Sequence, residues 1–261
     1  MLSKGKLRLV ERLKTRKGRP REGLVLVEGI RAVTEVLSSG ADVRFGLHSS
    51  RLYDSAVGRA LAENLADRGV DTANVDDSEL SDLADTKHAQ GVLLVCEEPE
   101  LDLTELRNRD LRTLLLLDGL QDPGNLGTLV RTAYAFGVSV VIVLDGSVDP
   151  WNTKAVRASA GASFRIDVVR EDWSRVGPWL EKRGIRLLAA DPAGDDVGLL
   201  RPERPWALAV GNEGVGLRNE IATAARQRVG IPMPGGMESL NAGIAGSILL
   251  YALLKPGSVS S

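Results

Sequence analysis

Leu114–Leu115–Leu116–Leu117–Asp118–Gly119–Leu120–Gln121–Asp122–Pro123–Gly124–Asn125–Leu126–Gly127 is a continuous apolar run, a polar turn and the mouth of a helix. A strand that is apolar at every residue is buried on both faces, as in a parallel sheet covered by helices on each side. Pro-Gly-Asn makes the turn, and Asn125 is a natural cap for a helix read over Thr128–Phe136. Arg131 lies six residues beyond Asn125, about 1.7 helical turns on, so both are expected near the same loop end of the sheet. The plain alternative for Arg131 is a solvated arginine on a helix face.

The same alternation continues outward in both directions. Downstream, strands are expected near Thr113–Leu117, Val138–Leu144, Ser163–Val169, Ile185–Ala189, Trp206–Val210 and Gln227–Ile231, with helices between them. In such sheets ligands sit beyond the carboxyl ends of the strands. Two further loops occupy such ends. One is Gly211–Asn212–Glu213–Gly214–Val215–Gly216–Leu217, where three glycines let backbone approach a ligand or another segment around one carboxylate. Its spacing is not the dinucleotide fingerprint, and no Walker lysine follows. The other runs from Ile231–Pro232–Met233 through Gly235–Gly236 to Glu238–Ser239–Leu240–Asn241. It opens an almost wholly apolar helix ending at Leu254. A helix N-terminus offers free N–H groups and partial positive charge, and Ser239 reads as its cap.

Taken in order, Asn125-x-Gly127-x-x-x-Arg131, Gly211-x-Glu213-x-x-Gly216-Leu217, and Ile231-Pro-Met with Ser239-Leu240-Asn241 resemble the three motifs of the SpoU (TrmH-like) branch of the SPOUT RNA methyltransferases. The resemblance spans residue 111 to residue 261. It implies an α/β catalytic domain with a deep trefoil knot, threaded by the loops carrying Gly211–Leu217 and Ile231–Asn241. It also implies S-adenosylmethionine as cofactor, a homodimer, and methyl transfer to a ribose 2′-hydroxyl of RNA. Arg131 then matches the essential arginine, and Asn125 the asparagine that orients it or the ribose. Glu213 would pair with Arg131 or take the proton through water, and Ser239 and Asn241 would fix substrate and loop. Gly211, Ile231 and Leu240 would hold the cofactor, and Arg157 resembles an RNA-side arginine. A guanidinium holds its proton strongly, so binding the oxygen is easier for Arg131 than acting as a general base. The family commonly continues Ser-Leu-Asn with Val-Ser, whereas this chain has Ala242–Gly243, smaller residues expected to loosen the start of the helix at the cofactor wall.

Residues 24–33, Leu-Val-Leu-Val-Glu-Gly-Ile-Arg-Ala-Val, are similar to the start of the family's small N-terminal α/β (L30e-like) substrate-binding domain. Strands near Leu24–Val27, Val43–Leu47 and Val92–Val95 alternate there with helices near Ile30–Leu37, Ala56–Arg68 and Glu79–Ala84. The acidic, proline-broken stretch Glu97–Glu98–Pro99–Glu100 suggests a boundary. The expected division is therefore an RNA-binding domain over 1–98, a linker over 99–110 and the methyltransferase domain over 111–261.

With 261 residues and 43% hydrophobic content, two cores can be built, mainly from aliphatic side chains because aromatics are 4%. A single cysteine, Cys96, excludes an internal disulfide framework and reads as a buried, inert thiol. His48 and His88 have no Cys/His cluster beside them, so no metal site is expected. No signal peptide or transmembrane run is evident, which fits a cytoplasmic protein with no membrane partner. Net charge is −2, yet residues 1–21 carry nine Lys/Arg against Glu11 alone, a charge of +8 that leaves −10 elsewhere. That basic arm suits phosphate contacts or, equally, a solvated helix with Leu9 and Leu13 one turn apart. Ribosomal RNA is the expected partner, because an N-terminal domain of this type accompanies rRNA-directed members. A tRNA methyltransferase and a non-catalytic RNA binder are the alternatives, and an oxidoreductase is disfavoured by the missing dinucleotide fingerprint.

Overall fold

A computed structural model describes residues 3–15, 17–86 and 89–255; His88 and the tail after Lys255 lie outside the described residues. The elements begin with α1 (Lys4–Leu13), α2 (Arg19–Glu22), β1 (Leu24–Glu28), α3 (Ile30–Ser39), β2 (Val43–His48), α4 (Ala56–Asp67) and β3 (Thr72–Asn74). They continue with α5 (Asp77–Leu83), β4 (Val92–Glu97), β5 (Thr113–Leu117), α6 (Pro123–Ala135), β6 (Val140–Leu144) and α7 (Thr153–Ala158). Next come β7 (Asp167–Glu171), α8 (Trp173–Lys182), β8 (Arg186–Asp196), β9 (Trp206–Val210), α9 (Asn219–Ala224), β10 (Gln227–Gly230) and α10 (Ala242–Leu254).

Two compact units result: Met1–Pro99 with Asp149–Arg165, and Glu100–Val148 with Ile166–Ser261. This differs from the sequence reading in two places. The segment Asp149–Arg165, expected in the second domain, packs with the first. The stretch expected as a linker buries Leu103 and Leu106 in the second core. Isolated leucines in a charged stretch carry no run or period to betray that burial.

The first unit holds a mixed sheet in the order β1-β4-β2-β3. β4 runs antiparallel to both β1 and β2, and β2 runs parallel to β3. The three-residue β3 is too short to show a pattern in sequence. Leu24, Leu26, Phe45, Leu47, Leu93 and Val95 form one core with Val10 and Leu13 of α1. Each such aliphatic burial contributes roughly 1.5–3 kcal/mol, so α1 is a seated helix and not a loose arm. Cys96 is buried in β4; burial, then the neighbouring Glu97, push its thiol up to about 12. Burial also lowers the pKa of His48.

The second unit holds a wholly parallel sheet in the order β10-β8-β9-β5-β6-β7. β5 is central, with Leu117 paired to Val143 on one side and Val210 on the other. Leu114 and Leu116 face a core shared with Val176 and Leu180 of α8 and Ile221 of α9. Successive strand residues point to opposite faces, so Leu115 and Leu117 face the other way. A parallel arrangement puts every strand's carboxyl end on one edge, which is where all three motif loops emerge. The strand expected at Ser163–Val169 begins only at Asp167, because Ala162–Phe164 form a 3-10 turn in the first unit.

Candidate functional site

The site is assembled around the start of α6. Asp122, and not Asn125, caps this helix: its side chain accepts from the backbone N–H groups of Gly124 and Asn125. Both types cap well and lie three residues apart, and Pro123 at the first helical position decides for the earlier one. Asn125 is thereby inside the first turn with its side chain released. Its Nδ2 donates to Glu213 Oε1 at 2.9 Å. A carboxylate only accepts, so the amide must present nitrogen to it, which leaves Asn125 Oδ1 as an available acceptor.

Glu213 comes from the loop after β9. Beside Asn125, it accepts from the backbone N–H of Gln121 at 3.1 Å and of Asp122 at 3.2 Å. Burial pushes its carboxyl up, but the bonds from Asn125 and the backbone outweigh this and hold it below the usual range. It stays ionised and is a weak base. Among the described residues it does not pair with Arg131, one of the two roles expected for it.

The Glu213 loop is braced from within. Asn212 and Gly216 exchange two backbone hydrogen bonds of 3.0 Å. Asn212 Oδ1 accepts from the N–H groups of Gly214 and Val215, and Asn212 Nδ2 donates to the Gly119 carbonyl at 2.8 Å. A Cβ on Gly211 would overlap the backbone of Gly216 and Leu217, so only glycine closes this loop. At its far end Arg218 donates through Nε to Asp118, which is 1% exposed, at 2.7 Å, and through both terminal nitrogens to Asp145 at 3.0 Å. The Arg218 bonds hold the Asp145 carboxyl below its usual range. Arg218 loses by burial but gains more from the two carboxylates, and its pKa rises.

Asp118, Asp145, Asn212 and Arg218 were not singled out by sequence. A signal existed: Asp118 and Asp145 each stop an apolar strand with a carboxylate.

The third loop leads from Ile231 to α10. Asn241, and not Ser239, caps α10, accepting from the Ile244 N–H at 3.2 Å. Ser239 is exposed and makes no hydrogen bond among the described residues; Leu240 and Met237 are also exposed. α10 packs against α6 through small residues. A Cβ on Gly243 would lie 3.1 Å from Asn125 Oδ1 and 3.2 Å from Asn241 Oδ1. Thr132 and Ser247 hydroxyls meet at 2.9 Å. Gly243, the departure from the family pattern, therefore keeps space for the two amides and does not open a defect.

Arg131 lies on α6, about 9 Å along the axis from Asn125. It is exposed and makes no hydrogen bond or ion pair among the described residues. Arg157 belongs to the first unit, on α7, where it pairs with Glu28 at 3.4 Å and Asp85 at 3.0 Å. Of the expected residues, Asn125, Glu213 and Asn241 are brought together with Gly211 at the base of the braced loop. Ser239, Leu240 and Ile231 lie on the exposed third loop. Among the described residues no helix is long and apolar enough to cross a membrane, and no three His, Cys, Asp or Glu side chains group as metal ligands.

Comparison with known proteins bears on this site. Residues 112–251 match the model of the SpoU rRNA Methylase family, and residues 4–94 match the MRM3-like substrate binding domain. A relative from Bacillus subtilis strain 168, named 23S rRNA (guanosine(2553)-2′-O)-methyltransferase RlmP, is 31% identical over 93% of each chain. An AdoMet-bound rRNA methyltransferase from Sinorhizobium meliloti superposes with a TM-score of 0.83 at 27% identity, covering 97% of this chain and 95% of its own. The SpoU methyltransferase AviRb from Streptomyces viridochromogenes, solved with AdoMet, gives a TM-score of 0.81 at 30% identity over 95% of this chain and 97% of its own.

Proposed function

We infer the chemistry from one premise: this chain belongs to the SpoU rRNA methylase family. It is an S-adenosylmethionine-dependent RNA methyltransferase acting on a ribose 2′-hydroxyl, with ribosomal RNA as substrate class. The observation that carries the residue assignment is the Asn125–Glu213 pair, tied to the start of α6 with Arg131 unpartnered on the same helix.

The donor set suits the cofactor. Glycine backbone at Gly211 and exposed apolar side chains at Leu240 and Met237 offer polar main-chain groups and a wall for an adenine. We assign Gly211, Ile231 and Leu240 to that role. The sulfonium supplies an electrophilic methyl group, so no metal is required. The 2′-hydroxyl is a poor acid, and its oxygen needs polarising and orienting as it attacks. Arg131 is free to bind that oxygen or an adjacent phosphate and to stabilise developing negative charge. Asn125 Oδ1 is free to accept from the hydroxyl and so to aim it. Glu213, ionised and accepting three hydrogen bonds, acts by fixing Asn125. Asn241 holds the start of α10 beside it, and Ser239 is left for substrate. For Arg157 to contact RNA it would have to exchange Glu28 and Asp85 for phosphate.

Ile244, Ile248 and Tyr251, on one face of α10, are exposed, and the Tyr251 ring lies 5.7 Å from that of Phe136. An apolar face of this kind favours association of two copies, and we assign it to a homodimer. The loops after β9 and β10 are the segments in which the family's knot would lie. We place the enzyme in the cytoplasm, with the RNA it modifies.

Calorimetric titration with S-adenosylmethionine, with NADH as control, tests the reading. Saturable binding of the former alone, followed by a new 2′-O-methyl mark on ribosomal RNA, is expected. Folded protein that binds no S-adenosylmethionine would leave only the non-catalytic RNA binder.

A further inference from the structure

The cations of the N-terminal segment divide by what they touch. Lys6 pairs with Asp71 at 2.6 Å and lies over the Phe45 ring. Lys14 donates to the carbonyls of Asp82 and Ala84 at the end of α5. Arg12 binds Glu22 at 2.7 Å, and buried Arg19 is held by Glu98 and Asp149. Lys4, Arg8, Lys17 and Arg21 are exposed, and their side chains make no hydrogen bond or ion pair among the described residues. Glu11, the one acid of α1, is likewise without a partner there.

Two features of α1 oppose its own stability. Its first turn contains no acid but carries Lys4 and Lys6, where the helix dipole disfavours cations. Lys4 and Arg8 stand four residues apart, which sets like charges about 5–6 Å apart along one face, and the next cation of that row, Arg12, is paired with Glu22. The fold needs only the opposite face, where Val10 and Leu13 are buried. Local choices that work against the fold mark surfaces kept for something else. A row of cations on a chain whose remainder is strongly acidic fits a polyanion.

We propose that the outer face of α1, continued by Lys17 and Arg21, is a ridge that contacts the phosphates of an RNA strand. The proposal rests on the RNA-methyltransferase reading for the identity of the polyanion. Because α1 is seated on the core, the ridge is pre-formed and little ordering is lost on binding. It supplies affinity and salt dependence and does not choose sequence.

The test compares wild-type protein with Lys4→Gln/Arg8→Gln/Arg21→Gln and with a charge-matched control, Lys182→Gln/Arg204→Gln/Arg226→Gln. Each is titrated with a fluorescein-labelled RNA hairpin over a salt series. The ridge variant is expected to bind about tenfold more weakly, and its log-affinity against log-salt slope to flatten by about 2, near 0.7 per lost contact. The control should stay near wild type. An unchanged slope, or an equal loss in the control, overturns the ridge. Lys4→Glu separates folding from binding: an acid in the first turn suits the dipole, so melting temperature should hold or rise while RNA affinity falls. Unchanged affinity in Lys4→Glu would return α1 to a solvated face. Titration with S-adenosylmethionine runs alongside. Its failure in the wild type would sink the catalytic reading, while the RNA slopes would still decide the ridge.

Discussion

The loops after β9 and β10 use similar residues, glycines with one carboxylate and polar amides, yet only one of them is braced. The first closes on itself through Asn212 and Gly216, and Asn212, Glu213 and Arg218 stitch it to the loop after β5. The second shows one backbone turn bond, from the Gly236 N–H to the Met233 carbonyl, before the cap at Asn241. It leaves Met237, Ser239 and Leu240 exposed. The contrast fits the two tasks we propose for these loops. A site that stabilises charge needs donors and acceptors fixed in advance. A wall that closes on a ligand is drawn from the less stable end of the molecule.

The sharpest break concerns the group that neither loop restrains. Arg131→Ala is expected to cut methyl transfer by about a thousandfold, with S-adenosylmethionine affinity and melting temperature near wild type. Equal loss of affinity would show Arg131 to be structural. Next, Arg218→Ala removes the counter-ion of the buried Asp118 carboxylate, leaving it the backbone N–H of residue 218, and should destabilise by about 2–3 kcal/mol in denaturant unfolding. A negligible change would mean the stitching is idle. Gly211→Ala forces a methyl group into the backbone of Gly216 and Leu217, at about 1–3 kcal/mol. It should also weaken cofactor binding; full affinity would remove the braced loop from the cofactor site.

Glu213 offers a finer test. Its carboxyl lies below its ordinary value of 4.5, so its stabilisation is complete above that pH and fades as pH falls through the folded value. Glu213→Gln should therefore melt below wild type at neutral pH, and the two should converge in acid. A gap that widens in acid contradicts the assignment. The smallest effect is in hydrogen exchange, where the cofactor should protect amides of residues 231–241 more than those of 212–216. Equal protection would erase the distinction between the loops.

Much of this was legible in the chain. Apolar runs such as Leu114–Leu117 and Trp206–Val210 marked the central strands, and the glycines and polar residues after them marked the loops of the candidate site. What stayed hidden depends on partners far away in sequence. Arg218 looks like any surface arginine until Asp118, a hundred residues earlier, is beside it. Asp122 and Asn125 are both good caps, and only one could serve, with the other released to Glu213. The same ambiguity exchanged Ser239 for Asn241. No pattern in Asp149–Arg165 says on which core it will pack, because membership follows contacts, such as Arg157 with Glu28, and not composition.

The placement of Gly243 against Asn125 has a consequence for how the protein is made. α10 follows every other element of its sheet along the chain, so it leaves the ribosome after them. Until it docks, the space beside Asn125 is unlined and Thr132 lacks its Ser247 partner. The candidate site is completed by an element made after every strand of its sheet, and a chain interrupted before Ala242 would carry the whole sheet with that space unlined.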